Sequence, residues 1–221
     1  MPFGDIPIPN GGDGDNVNSG CVLWLDSRYF TESYWWDISK YRNNGVVHGA
    51  KWKSDAFYFD GIDDYVEVSD NDSLDITEEL TIEALINPVS CGNSGYGRII
   101  DKGYGSAPVF WVNCDFNSLE FNPGGAHSQR SNSNILQFNT VQHVVVRYIS
   151  NSGGAFFHNG KNAGNIENLG NIGTNSQNLV VGNRADQNRG FDGQIRILRY
   201  YKRALSDSEI EILCNLSLLW G

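Results

Sequence analysis

The chain has 221 residues, of which 40% are hydrophobic and 12% aromatic, and its formal net charge is −10. This acidic balance argues against a nucleic-acid partner, because phosphate binding requires clustered lysine and arginine. With 25 glycines and no long helical pattern, the composition favours short strands joined by turns, in one large β-sandwich or two small domains.

Residues 1–20 are predicted to form an extended arm that precedes the folded domain, residues 21–221. Prolines favour extended backbone here, and the glycine-rich stretch 10–14 provides a hinge. Ile6 and Ile8 are two positions apart, so an extended segment points both to one side. The apolar side chains that we expect to dock on another subunit are Phe3, Ile6 and Ile8. A disordered tail is the alternative.

The first fifteen residues, MPFGDIPIPNGGDGD, have neither the basic start nor the apolar core of a secretory signal peptide, so none is predicted. No apolar run approaches the length of a membrane span.

Strands are predicted where apolar and polar residues alternate at a period of two. The stretch 56–75, AFYFDGIDDYVEVSDNDSLD, reads as a hairpin whose turn carries three carboxylates. Residues 162–178 are predicted as a polar loop. Ser206 and Glu209 form a capping box that opens a short C-terminal helix. The other main strands are predicted at Cys21–Asp26, Leu80–Pro88, Arg98–Asp101, Val109–Cys114, Leu119–Phe121, Val141–Tyr148, Phe156–Lys161 and Leu179–Gly182.

Four blocks of this pattern resemble the laminin-G-like branch of the concanavalin A-like jelly-roll domains. They are NNGVVHGA at 43–50, FDGIDDYVEV at 59–68, VQHVVVRY at 141–148, and FDGQIRILRYYKRALS at 191–206. The resemblance extends over roughly residues 22–213. It implies an all-β fold, a two-sheet antiparallel jelly-roll β-sandwich with one short helix at the C-terminus. The side chains expected between the two sheets are Phe57, Phe59, Ile82, Ala84, Val144 and Val146.

The hairpin turn at 60–64 is the candidate metal site. Ca²⁺ takes six to eight oxygen ligands from carboxylates, amides and carbonyls on bent loops, and the resemblance implies a structural calcium ion near this region. The residues that could supply the oxygens are Asp37, Asn43, Asp60, Asp63 and Asp64.

One departure from the family pattern bears on this site. The closing strand of the family has two acidic positions where this chain has Arg196 and Ile197. Arg196 pairing with Asp60 or Asp63 in place of a cation is one alternative to calcium. Aspartates that only cap turns are another.

Three loops, 90–97, 124–134 and 183–189, are rich in the polar residue types of a glycan site. Sugar-binding proteins use aromatic rings for the apolar face of the sugar and polar side chains for its hydroxyls. The residues expected to contact a glycan are Tyr96, Tyr104, Trp111 and Arg184. Aromatic residues that serve only as core are the alternative reading.

Catalysis is not expected. The chain has no E-x-D-x-E strand of the kind that some hydrolases of this fold carry, and no triad, Walker loop or zinc helix is evident. His143 falls within a strand motif, where packing or a hydrogen bond is the expected role. The widely spaced cysteines are expected to be free thiols, with one or two disulfides as the alternative.

Two functions fit these observations. The first is a non-catalytic recognition or adhesion domain that binds a glycan or surface polysaccharide on the outside of a larger assembly, such as a virion. The second is a purely structural subunit of such an assembly, anchored by its N-terminal arm. The expected location is the surface of a virion or of another extracellular assembly, and the cytoplasm is the alternative.

Overall fold

The computed structural model describes residues 17–219. The predicted docking residues of the arm, Phe3, Ile6 and Ile8, lie outside this range. Residues 17–20 form a turn, in which the backbone N–H of Cys21 donates to the carbonyl of Asn18 at 3.1 Å. The first strand begins at Cys21.

The described residues contain sixteen strands and one α-helix. The strands are β1 (Cys21–Phe30), β2 (Tyr34–Asp37), β3 (Gly45–His48), β4 (Lys51–Lys53), β5 (Ala56–Asp60), β6 (Tyr65–Val68), β7 (Glu79–Pro88), β8 (Arg98–Asp101), β9 (Val109–Asn113), β10 (Ser118–Asn122), β11 (Gln129–Arg130), β12 (Gln142–Ile149), β13 (Gly153–His158), β14 (Lys161–Ile166), β15 (Leu179–Val181) and β16 (Asp192–Tyr201). The helix, α1, is Asp207–Leu218, and two short 3₁₀ turns lie at Asp72–Leu74 and Asn93–Gly95.

The strands form one continuous antiparallel path that folds over on itself. Its order is β11-β10-β9-β8-β15-β6-β3-β2-β1-β16-β7-β12-β13-β14, and β5 pairs with β16 and β4. The two ends of the path meet, since the Gln129 side chain on β11 donates to the carbonyl of Asn165 on β14 at 3.0 Å. The path thus closes into the predicted two-layer jelly roll, and the all-β fold class is confirmed.

The core lies between the two layers of this path. Phe110 on β9 stacks on Phe156 on β13, with ring centres 6.5 Å apart, although these strands are not hydrogen-bonded neighbours. All six predicted core side chains are buried, at 1% exposure or less, which confirms the predicted register. Burial of each large side chain stabilises the fold by roughly 1.5–3 kcal/mol. A shift of one residue would turn these side chains to the opposite face.

Helix α1 covers the outer face of the layer that contains β7 and β12. Ser206 caps it with the predicted capping box, because its side chain accepts from the Glu209 N–H and the Glu209 carboxylate accepts from the Ser206 N–H. Ile210 and Leu213 pack into a second apolar cluster with residues such as Val145. Strand β7 is therefore buried on both faces. Within residues 17–219 there is no helix long and apolar enough to cross a membrane.

An ionised group is buried beneath α1. Both carboxylate oxygens of Glu83 accept from Arg199 at 2.7 Å, and one also contacts the His143 ring at 3.1 Å and the Ser217 hydroxyl at 3.1 Å. Burial would raise the pKa of Glu83, but Arg199 and His143 together lower it to about 2. The hydrogen-bonding role predicted for His143 is confirmed.

The cysteines divide into two kinds. Cys91 and Cys114 form a disulfide, with Cα atoms 5.6 Å apart, whereas Cys21 and Cys214 are buried free thiols. The expectation of free thiols is thus wrong for Cys91 and Cys114. The two are separated by 23 positions, and the fold brings the loop after β7 beside the end of β9.

Candidate functional site

A cluster of one arginine and two aromatic rings lies on the sheet face that points away from the core. On β9, Phe110 and Val112 belong to the core, so Trp111 between them points outward. Arg98 on β8 pairs with Trp111, and its guanidinium carbon lies 4.4 Å from the Trp111 ring centre and 5.5 Å from that of Tyr104. These are cation–π distances. Arg98, Tyr104 and Trp111 are named the arginine–aromatic cluster below.

The members of the cluster differ in their access to solvent. Tyr104 is 47% exposed, whereas Arg98 and Trp111 are each 3% exposed. The Tyr104 and Trp111 rings meet edge to face, with centres 6.1 Å apart. A ligand that approaches this face therefore contacts the Tyr104 ring, and the buried Trp111 ring packs against the Arg98 guanidinium.

The Arg98 guanidinium is only partly hydrogen-bonded. Its Nε donates to Asp101 at 3.1 Å, but its Nη1 is buried and has no hydrogen-bond partner within residues 17–219. Burial lowers the pKa of Arg98, an effect that Asp101 opposes, and burial likewise raises the pKa of Asp101. Asp101 also accepts from the Gly103 N–H at 2.8 Å, whereas the lost hydration of the Arg98 Nη1 is replaced by no partner among the described residues.

A buried lysine fixes the loop that carries Tyr104. Lys102 is 1% exposed, and the Asn175 side chain donates to its carbonyl at 2.8 Å. The Lys102 ammonium lies 2.7 Å from a carboxylate oxygen of Asp70, 3.1 Å from one of Asp75, 2.9 Å from the Asn175 carbonyl and 3.2 Å from the Gln177 carbonyl. Two segments that are distant in sequence, 70–75 and 175–177, thus hold the chain immediately before Tyr104.

The turns at Gly61, Gly92 and Gly190 pack against one another through their backbones beside this cluster. A Cβ at Gly92 would lie 1.8 Å from the Gly190 carbonyl, and a Cβ at Gly190 would lie 2.5 Å from the Gly61 carbonyl carbon. Only glycine permits this approach. Asn93 ties the turns together, since its N–H donates to Gly61 at 3.0 Å and its side-chain oxygen accepts from the Gly190 N–H at 2.5 Å.

Two more arginines reach the same region from the loop after β15. The Asn183 side-chain oxygen accepts from the backbone N–H groups of Arg184 and Arg189, at 2.9 and 3.1 Å. The Arg189 carbonyl in turn accepts from the Arg98 N–H at 3.0 Å. The Arg189 guanidinium carbon lies 5.6 Å from the Tyr96 ring centre. Repulsion from Arg189 and Arg184 adds to the burial that lowers the pKa of Arg98.

The structure brings the predicted glycan-contacting residues into one region. Tyr104 is exposed, Tyr96 and Arg184 are partly exposed, and Trp111 is buried. Arg98 and Arg189 were missed at the sequence level. Arg98 opens a predicted strand, but its position against Trp111 depends on a bulge between Arg98 and Ile100 that alternation does not signal.

The three aspartates of the hairpin turn come together. Ligand oxygens of Asp60, Asp63 and Asp64 lie within 4.8 Å of one another. The Asp60 N–H donates to Asp64 at 2.9 Å, and the Ile62 N–H donates to Asp60 at 2.8 Å. Burial raises the pKa of Asp64, and repulsion from Asp60 and Asp63 adds to the rise. The group therefore caps its own turn and is also an oxygen-donor set of the type that suits Ca²⁺.

Asp37 and Asn43 do not join this group. Asp64 directly precedes Tyr65, which begins β6 and pairs with His48. Asn43 lies two residues before Gly45, which pairs with the other end of β6. The Asp37 carboxylate accepts from the backbone N–H groups of Trp24, Ser39 and Asn43, at 2.8, 2.8 and 2.7 Å. The proposed five-residue set is thus split, and Asp37 organises a different turn.

The pairing of Arg196 with the aspartate turn is also wrong. Asp192 pairs with Asp60, and Ile195 pairs with Phe57. Arg196 therefore lies at the other end of the strand pair, where its side chain contacts the Ser54 carbonyl at 3.5 Å.

A family model described as the concanavalin A-like lectin/glucanases superfamily, in its laminin G group, matches residues 59–211. No curated protein matches the chain by sequence.

Solved structures with the same fold include toxin binding domains. The binding domain of Paraclostridial Mosquitocidal Protein 1 has a TM-score of 0.71 at 16% identity, covering 91% of this chain and 53% of that one. A structure of botulinum neurotoxin type C, whose cell entry depends on interaction with two ganglioside molecules, has a TM-score of 0.66 at 19% identity, covering 91% and 52%. Trypanosoma rangeli sialidase has a TM-score of 0.67 at 18% identity, covering 99% and 36%. The chain spans about half of the toxin domains, and at these identities the likeness concerns the fold alone.

Proposed function

Because the chain belongs to the concanavalin A-like lectin/glucanases superfamily, we propose that it is a non-catalytic domain that binds carbohydrate through the arginine–aromatic cluster. The observation that carries this proposal is the half-exposed Tyr104 ring, held against the buried pair of Arg98 and Trp111. An exposed, immobilised ring provides the apolar surface on which a sugar stacks, and surrounding polar groups fix its orientation.

Preorganisation of the site supports binding. The Lys102 contacts hold the Tyr104 loop, and the Asn183 side chain holds the loop of Arg184 and Arg189. A rigid site loses little conformational entropy when a ligand binds. The botulinum neurotoxin type C domain, described as interacting with gangliosides, gives a precedent for glycan binding by a larger protein that contains this fold. Extension of that activity to this chain is part of the proposal.

We propose binding without hydrolysis because the two carboxylates on the strands of the cluster, Asp101 and Glu120, are engaged. Asp101 accepts from Arg98, and Glu120, the pairing partner of Trp111, accepts from Asn113 and Ser128 at 2.5 Å each. Glycoside hydrolysis needs an acid and a base or nucleophile that are free to act on the substrate. Release of reducing sugar from a bound glycan would show that the domain is an enzyme.

The setting proposed for the domain is the outside of a larger assembly, such as a virion or a surface layer. The Cys91–Cys114 disulfide supports an oxidising compartment, since such bonds rarely persist where thiols are kept reduced. Attachment through Phe3, Ile6 and Ile8 stays a prediction. Deletion of residues 1–10 is expected to leave the unfolding temperature unchanged and to abolish incorporation into the assembly.

A titration of oligosaccharides with matched variants tests the central proposal. An array identifies the sugars that bind, and calorimetry then compares wild type with Tyr104→Ala and Tyr29→Ala. Tyr29 is a matched control because it lies under Arg28, at 5.7 Å, on a strand five positions from β8 along the path. We expect Tyr104→Ala to weaken binding by more than about 1 kcal/mol, as truncation of a central aromatic contact does, while Tyr29→Ala binds normally. A blank array with working controls would favour the structural-subunit alternative.

A structural calcium ion at the aspartate turn is a second, separate proposal. It rests on the convergence of Asp60, Asp63 and Asp64. These residues could supply three of the six to eight oxygens that Ca²⁺ needs.

A further inference from the structure

We propose that the preferred ligand of the arginine–aromatic cluster is an anionic glycan, whose carboxylate or sulfate group is bound by the guanidinium groups of Arg98, Arg184 and Arg189. This inference rests on the proposed function and specifies the class of sugar. It follows from three observations: the local charge, an unsatisfied buried donor, and a backbone framework that fixes the arginines.

The local charge differs from that of the whole chain. The chain has a formal net charge of −10, yet three guanidiniums gather here. Asp101 lies 3.1 Å from Arg98 and Asp186 lies 3.6 Å from Arg184, whereas Arg189 has no carboxylate partner among the described residues. Arginines that repel one another in a partly dehydrated site are stabilised by a bound anion.

Other acidic groups near the cluster form no ion pair with these arginines. The aspartate turn packs against Gly190 and holds three carboxylates together, but among the described residues none of them lies within 4.0 Å of a guanidinium nitrogen of Arg98, Arg184 or Arg189. Glu120, across Trp111 from Arg98, accepts from Asn113 and Ser128. Glu67 on β6 lies 4.0 Å from His48. Neither forms an ion pair with the three arginines among the described residues.

Arg98 has an unfilled hydrogen-bonding position. The side chain is only 4% exposed, and its Nη1 has no partner among the described residues. A buried, unpaired donor on a charged group is unfavourable, and a native structure normally satisfies it. The planar guanidinium presents its donors in a fork that matches the two oxygens of a carboxylate or sulfate. A neutral sugar hydroxyl would satisfy the hydrogen bond but not the charge.

The framework holds the arginines where they are before any ligand arrives. One side chain, Asn183, accepts from the N–H groups of both Arg184 and Arg189, and the Arg189 carbonyl accepts from the Arg98 N–H. Arg189 stacks over the Tyr96 ring. Tyr96 and Tyr104 thus place aromatic surface beside the cationic groups, which suits a sugar ring that bears an acidic substituent.

Matched pairs of glycans that differ only in charge test this inference. The carboxylate pairs are sialyllactose with lactose and polygalacturonate with its methyl ester, and the sulfate pair is dextran sulfate with dextran. Calorimetry or biolayer interferometry is carried out at 0.15 M salt, with inorganic polyphosphate as a polyanion that contains no sugar. We expect the charged member of at least one pair to bind tenfold or more tightly than its neutral partner. The pair that shows the preference identifies carboxylate or sulfate.

Variants then assign the preference to the arginines. Arg184→Gln/Arg189→Gln is expected to remove most of the preference for the charged glycan, measured as the ratio of its affinity to the affinity of its neutral partner. Arg189→Lys, which keeps the charge but loses the fork, should show an intermediate preference. Arg28→Gln, on the distant strand β1, is the control and should keep the wild-type preference, although loss of its ion pair with the buried Asp26 should lower its melting temperature. Arg98 is left intact because its burial makes loss of folding the expected result of replacement.

The outcomes separate this inference from the proposed function. If no glycan of either class binds, the proposed function fails. If neutral and charged members bind equally, or if the double variant keeps the full preference, carbohydrate binding stands and the anionic assignment is overturned. Equal binding of polyphosphate would also overturn it, because it would indicate unspecific attraction to any polyanion.

Discussion

The buried ammonium of Lys102 lies 2.7 Å from the carboxylate of Asp70, a residue 32 positions earlier in the chain. Two carbonyls of the segment 175–177 also accept from this ammonium. The loop that follows Lys102 carries Tyr104, so an internal cation fixes the residue that we propose to contact the glycan.

Lys102→Met is expected to destabilise the protein by about 3 kcal/mol, because removal of the ammonium leaves the carboxylates of Asp70 and Asp75 and two carbonyls without their partner. Urea unfolding measures this change. The exposed Lys53→Met is the control, expected to stay within about 0.5 kcal/mol of wild type. Equal stability of the two variants would mean that the Lys102 contacts do not hold the loop.

Glu83 should make the fold sensitive to acid. The pKa of Glu83 is about 2 in the folded protein and about 4.3 in an unfolded chain. The resulting stabilisation is complete above the unfolded pKa and is lost as the pH falls through the folded pKa. Linkage gives about 3 kcal/mol of stability lost between pH 5 and pH 2.

Glu83→Gln should flatten the pH dependence of the unfolding free energy over this range, relative to wild type and to the control Glu78→Gln on the exposed surface. Glu209, whose pKa Arg203 also lowers to about 2, titrates in the same window, so some slope should persist. An unaltered slope in Glu83→Gln would refute the role assigned to this carboxylate.

The disulfide should stabilise the fold and order the loop of Tyr96. It closes a segment of 23 residues, and a loop of that size corresponds to about 3 kcal/mol in the chain-entropy description. Cys91→Ser/Cys114→Ser should therefore melt at a lower temperature than wild type. A thiol reductant should lower the wild-type melting temperature to that of the variant and leave the variant unchanged. A reductant effect of equal size in the variant would point to some other cause.

Calcium should raise the melting temperature if the aspartate turn binds it, because a ligand that binds only the folded state stabilises that state. Titration with CaCl₂ after chelation measures the shift. Asp63→Asn should reduce the shift, and Asp55→Asn, a change at an exposed aspartate outside the turn, should not. The same curve with and without calcium would leave turn capping as the function of the three aspartates.

Strand positions could be predicted from the sequence because one face of most strands is buried, and period-two alternation reports that face directly. Residues 162–178 show the limit of this signal, since Lys161–Ile166 forms β14 although its sequence, KNAGNI, is polar. This end strand pairs with β13 and presents few apolar side chains to the core, so backbone pairing rather than burial defines it.

The composition of the candidate site was less accessible from the sequence. Tyr96 and Arg184 lie in polar loops, and Tyr104 and Trp111 stand out as aromatic residues. The contact between Arg98 and Trp111 depends on a bulge, however, and the position of Arg189 depends on a loop held by Asn183. Asp37 and Asn43 were grouped with the aspartate turn although strand pairing places them at the opposite end of β3 and β6. Long-range pairing, which local patterns do not encode, decides each of these cases.

The most direct measurement of the central claim is an NMR titration that maps where a bound oligosaccharide perturbs the protein. The indole N–H signal of Trp111, assigned with Trp111→Phe, reports the buried floor of the cluster, and backbone amides of 96–104 and 183–190 report its loops. We predict that the largest shifts fall on these signals and that Tyr104→Ala reduces them together with the affinity. Shifts confined to another surface, with the Trp111 signal unmoved at saturation, would contradict the assignment of the arginine–aromatic cluster as the carbohydrate site.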